Sequence, residues 1–161
     1  MLITGCANYD DWEPGVTQFK GFGDNLDLRS TTKMEVVGVG KDDIHGILYS
    51  IMSFKGYDLE DESNSQIRFY KRNSDFWTNA LLSSRYDGKV YDRVTINTFK
   101  IRDTIKIQVG VAVITNRGSA FEQVTEMTAQ SQEVHDFTKG ILTEIKENVE
   151  EHFPESEVVW N

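Results

Sequence analysis

Ten residues near the middle of the chain limit most narrowly what it can fold into. Ile105, Ile107, Val109, Val111 and Val113 alternate with Lys106, Gln108, Gly110, Ala112 and Ile114. A period of two puts the first set on one face of an extended strand. That face is continuous and apolar, so something must cover it. A cover is written near the C-terminus. Val134, Phe137, Ile141, Leu142, Ile145 and Val149 recur at helical spacing over roughly five turns. A strand with one apolar face and a helix with one apolar stripe imply a helix packed on a sheet.

The remaining elements fit that layer. Met34 to Val39 reads as a strand. Asp42 or Asp43 is placed to cap a helix carrying Ile44, Leu48, Ile51 and either Met52 or Phe54, and Gly56 closes it. Tyr57 to Glu60 starts a second strand. Asp61 to Ser65 turns the chain, and Gln66 to Tyr70 returns. Asn73 or Ser74 can cap a short helix over 75–84 carrying Phe76, Trp77, Ala80 and Leu81. Arg93 to Asn97 alternates before a hairpin turn at Arg102-Asp103-Thr104. Asn116 to Ser119 turns again, Phe121 to Thr128 pairs back, Ser131 can cap the long helix, and Val158 to Trp160 docks as a terminal segment. The expected fold is α+β: an antiparallel sheet of about five or six strands, with a helix near the N-terminus and a long C-terminal helix on one face.

Length and composition bound the function. The 161 residues fit one domain with a real core. The formal net charge of −9 repels nucleic-acid phosphates and anionic lipid, so no nucleic-acid partner is expected, although Lys100, Arg102 and Lys106 lie close together. A single cysteine leaves no internal disulfide and no cysteine-based zinc cluster. No run of about eighteen apolar residues occurs that would cross a membrane.

Residues 7–32 are rich in Gly, Asp, Asn and Thr and read as a tether, partly lying on the domain, with residues 33–161 as the single folded unit. Such a tether spans roughly 25–30 Å. At its head stands Ile3-Thr4-Gly5-Cys6, which resembles the lipobox of bacterial lipoproteins. The resemblance implies signal-peptide cleavage before Cys6 and acylation of its thiol, with palmitate among the chains. Only Met1 and Leu2 precede the run, so an export segment is expected upstream of Met1. Ala7 follows the cysteine, which by the same resemblance implies sorting to the outer membrane in preference to the inner, with the domain in the periplasm. The layout from residue 33 to 150 is similar to the helix-grip and related two-layer domains of small envelope lipoproteins, among them the lipoprotein component of the outer-membrane β-barrel assembly machinery. Its parts here are Val36 to Val39, Ile44 to Gly56-Tyr57, Asp58 to Ser63, and Ile67-Arg68-Phe69.

Candidate chemistry is sparse. Asp58 to Glu62 gathers four carboxylates but lacks the ligand alternation of a calcium loop. His45, His135 and His152 have no metal-binding spacing. Gly38-Val39-Gly40 lacks the rest of a phosphate-binding motif. No Gly-x-Ser-x-Gly elbow occurs. Glu122 and Glu126 are a carboxylate pair that exposed alternate positions explain equally well. The aromatic set Phe69, Tyr70, Phe76, Trp77, Phe99, Phe121 and Phe137 reads as core filling. No catalytic residue, cofactor or metal is expected. The expected function is a non-enzymatic, lipid-anchored envelope protein that binds another envelope protein. The alternative is a carrier holding a small apolar ligand under the helix.

Overall fold

The structure, a computed structural model, describes residues 33–72, 90–127 and 132–160. In chain order the elements are β1 (Lys33–Val37), α1 (Lys41–Phe54), β2 (Asp58–Glu62), β3 (Gln66–Arg72), β4 (Val90–Ile101), β5 (Thr104–Thr115), β6 (Gln123–Met127), α2 (Gln132–His152) and β7 (Glu157–Trp160). The expected helix over 75–84 and the Ser131 cap lie outside the described residues.

The strands form one antiparallel seven-stranded sheet in the order β2-β3-β4-β5-β1-β7, with β6 also on β5. β5 organises it. One side pairs with β4 along its whole length, from Ile101↔Thr104 to Val90↔Thr115. The other side is shared: β1 takes Thr104 to Gln108 and β6 takes Val111 to Thr115. The terminal segment docks as the seventh strand, with Val158 opposite Val36.

The alternation in β5 works as expected on the helix side. Ile105, Ile107 and Val109 join Met34, Val36, Ile67, Phe69, Val94 and Ile96 in one buried cluster. Ile44, Leu48, Ile51 and Met52 of α1 enter it from above, with Ile141, Leu142, Ile145 and Val149 of α2. Large apolar side chains fill this layer. Val111 and Val113 continue it with Val90 and Val134.

Two local expectations change. The residue before α1 is Gly40, and no side chain caps the helix end; Asp42 and Asp43 sit in the first turn, where they favour the positive end of the helix dipole. The carboxylates of 58–62 lie along strand β2, and the turn falls at 63–65. The face of β5 turned away from the helices is buried from Gln108 onward, with Ala112 and Ile114, while Lys106 before them is exposed.

α1 ends as its glycine implies. Gly56 N–H donates to Ser53 O and Tyr57 N–H to Met52 O, with Gly56 at φ +79°. That is the Schellman arrangement, in which a left-handed residue satisfies the last carbonyls.

Candidate functional site

Three places on the domain carry chemistry beyond packing. The first lies where α1 starts against the β2–β3 turn. His45, one turn into α1, is buried beneath it. Its Nδ1 lies 3.2 Å from Glu62 Oε1 on β2 and its Nε2 lies 3.0 Å from Thr98 Oγ1 on β4. A hydroxyl, an imidazole and a carboxylate therefore stand in line. The hydroxyl cannot meet a substrate as it stands, because Thr98 is 1% exposed. The line ties helix to sheet.

Above it is an open polar groove of about 330 Å³ lined by Lys41, Asp42, His45, Glu62, Ser63 and Asn64. Lys41 Nζ donates to Asn64 Oδ1 across its rim at 2.9 Å. Burial, then the hydrogen bond to Glu62 and its charge, pushes the Tyr49 phenol up to about 12. The same Tyr49 bond, with His45 and Lys41, holds Glu62 below the ordinary carboxylate range.

The second place is on the opposite sheet face. β2 carries a bulge between Leu59 and Asp61, so Glu60 is the extra residue. Freed from the ladder, its carboxylate accepts from Arg93 Nε at 2.7 Å and from Arg117 at 3.1 Å. Burial alone would raise Glu60, but the bonds and charge of Arg93, with Arg117, hold it below its ordinary value. Arg117 comes from the β5–β6 loop, and its guanidinium lies 3.6 Å from the centre of the Tyr70 ring. Further along this face, Gln66 donates to Asn97 and accepts from Arg68.

The third place is the set of edge strands, β2, β7 and β6, which differ in kind. β2 is guarded by Asp58, Glu60, Asp61, Glu62 and its bulge, the devices that keep other strands away. β7 has no such guard at its tip. Val159 and Trp160 are 39% and 37% exposed on a strand whose outer side has no partner among the described residues. Phe121 and Val124, on the same side of β5, are exposed as well.

The candidate residues drawn from the sequence do not converge on these places. Cys6 lies outside the described residues. Glu122 precedes β6 and accepts from Gly118 N–H, while Glu126 is inside the strand. His135 lies on α2 beside Asp136, and His152 bonds Asn148 O. Gly38 and Gly40 lead from β1 into α1. Lys106 pairs with Glu35 across β5–β1. Among the described residues, no three His, Cys, Asp or Glu side chains gather as a metal site, and no helix is long and apolar enough to cross a membrane. Sequence reasoning missed the roles of His45, Glu60 and Arg117. All three depend on register and on a bulge that periodicity does not reveal. Compared with protein-family models and with characterised proteins, the chain matches none.

Proposed function

We propose that this chain is a non-enzymatic, lipid-anchored protein of the bacterial envelope, tethered through Cys6, whose α+β domain binds another envelope protein at a sheet edge. The observation that carries the binding half is the contrast between the edge strands β2 and β7. β2 is acidic and bulged; β7 presents Val159 and Trp160 on a strand whose outer side has no partner among the described residues. An extended segment of a partner adds to such an edge through main-chain hydrogen bonds and packs its side chains on the exposed apolar ones. The lipobox-like Ile3-Thr4-Gly5-Cys6 supports the anchoring half.

Native electrophoresis of the detergent-solubilised envelope tests this reading. The chain is expected to run in a complex well above its own 18.4 kDa, and Val159→Lys, which places a charge on the edge, is expected to release it. Cys6→Ala is expected to move the protein from the membrane fraction to the soluble periplasm. A wild-type chain that runs alone would overturn the binding half. Membrane retention of Cys6→Ala would overturn the anchoring half.

A further inference from the structure

β6 pairs with β5 alone among the described strands, and Gln123, Val124 and Thr125 are exposed along it. Counted along β5, the sheet has a step beside this strand. β6 stands level with Val111 to Thr115. β1 occupies the same column from Gln108 to Thr104, and β7 lies one column further out, against β1. β7 reaches Trp160, which pairs with Met34 level with Ile107. No described strand fills the column outside β6, which opens beyond Trp160, four positions before Val111.

The loop before β6 holds one aromatic side chain outward. Asn116 and Gly118 take left-handed backbone, at φ +55° and +77°. Gly118 N–H donates to Glu122 Oε2 at 2.7 Å and Phe121 N–H to Ser119 Oγ at 3.1 Å. Asn116 Nδ2 donates to Phe121 O at 3.4 Å. Arg117 pins the loop to Glu60 and stacks on the Tyr70 ring. With its backbone fixed in this way, Phe121 is 79% exposed. Binding through a group already held in place costs little further ordering.

We infer that two copies of this chain join through β6, as an antiparallel pair whose two-fold axis passes Thr125. Charge selects the register. Val124 is opposite Ile114 and Glu126 opposite Ala112, so both lie on the sheet face turned away from the helices. Registers that keep the helices of both copies on one side of the joined sheet centre on a residue. An axis at Val124 sets Glu122 against Glu126, and an axis at Glu126 sets that carboxylate against its own copy. Like charges directly opposite destabilise a strand pair. An axis at Thr125 avoids both: Thr125 meets itself, Val124 meets Glu126, and Gln123 meets Met127.

The step selects the occupant. The same axis puts β6 of the second copy in the open column, with its Gln123 level with Val111. Its 116–122 loop then enters the four positions left before Trp160, about 13 Å of strand length. Phe121 of the second copy meets Trp160, which is 37% exposed. The contact repeats on the other side of the axis, as a two-fold interface requires. Phe121, Val124 and Trp160 of both copies are covered together. The outer side of β7 stays open in this dimer, so the pairing is independent of the partner proposed above.

Sedimentation equilibrium of the purified full chain carrying Cys6→Ala, which removes its one thiol, tests the pairing with no other protein present. The expected mass at about 100 μM is twice 18.4 kDa. Thr125→Lys sets two like charges at the axis, on a residue exposed in the single copy, and is expected to weaken the dimer about 100-fold or more. In the same Cys6→Ala chain, Thr125→Cys is expected to form an interchain disulfide on mild oxidation, because directly opposite residues bring their Cβ atoms to about 4.5–5.5 Å. Gln123→Cys, which meets Met127, is expected to remain uncross-linked. Should Thr125→Lys fail to fold, the two cysteine variants carry the test. A monomer at the highest concentration overturns the inference, whatever other protein binds β6. So does a folded Thr125→Lys that stays dimeric, or a Gln123→Cys that cross-links as readily as Thr125→Cys.

Discussion

His45 Nε2 stands 3.0 Å from Thr98 Oγ1, joining α1 to the central strand β4 through a buried bond. Removing one partner leaves the other buried and unsatisfied. Thr98→Val should therefore cost about 1–3 kcal/mol. The double variant His45→Leu/Thr98→Val removes both partners together and should recover part of that loss. Urea denaturation of the two single variants and the double completes the cycle. Strictly additive losses would show that the bond contributes nothing.

The Glu60 cluster sets the acid limb of stability. Its carboxyl is held below the ordinary 4.5 by Arg93 and Arg117, against burial, and Glu62 is held down by Tyr49 and His45. A carboxylate with a depressed folded-state pKa stabilises the fold above its unfolded pKa. That contribution is lost as pH falls through the folded-state value. The thermal midpoint should hold from neutrality down to about pH 5 and drop below about 4.5. Glu60→Gln should lower the neutral plateau and flatten the drop. An unchanged acid limb in Glu60→Gln would remove the cluster from this role.

Gly56 lies at φ +79°, and a Cβ built there meets only Lys71 side-chain atoms at 3.6 Å, an ordinary contact. The cost of Gly56→Ala is therefore backbone strain, about 1–2 kcal/mol. Chemical denaturation measures it. A neutral substitution would mean that the helix end is held by something other than its left-handed residue.

Val109 and Ile141 are both buried in the layer between sheet and α2. An aspartate at either place is an unpaired buried carboxylate costing several kcal/mol, comparable with the stability of a small domain. Both variants should fail to fold cooperatively by calorimetry. From the sequence alone, Gln108→Asp is tolerated if its face meets water and fails if that face is covered. With Gln108 6% exposed, that substitution should destabilise too.

Those residues show what could be read without a structure. The Val109 face and the Ile141 stripe were legible because their periods of two and 3.6 need no partner to be recognised. Gly56 was legible because a glycine after a periodic apolar run has one common use. Gln108 was not, since a strand's own residues do not say whether its second face is covered. Glu60 was not either: its neighbours look like a solvated acidic turn until a bulge turns one carboxylate toward two arginines. The edges were equally hidden, because which strand ends a sheet is decided by pairing order.

Whether the domain meets its partner at β7 and not at β2 is tested most directly by site-specific photo-cross-linking in the native envelope. A photoreactive residue is placed at Val159 on one edge and, separately, at Asp61 on the other, where Asp61 pairs with Arg68. Binding at β7 predicts one discrete adduct with a second protein from position 159 and none from position 61. An adduct from position 61 alone, or no adduct from position 159, would contradict it.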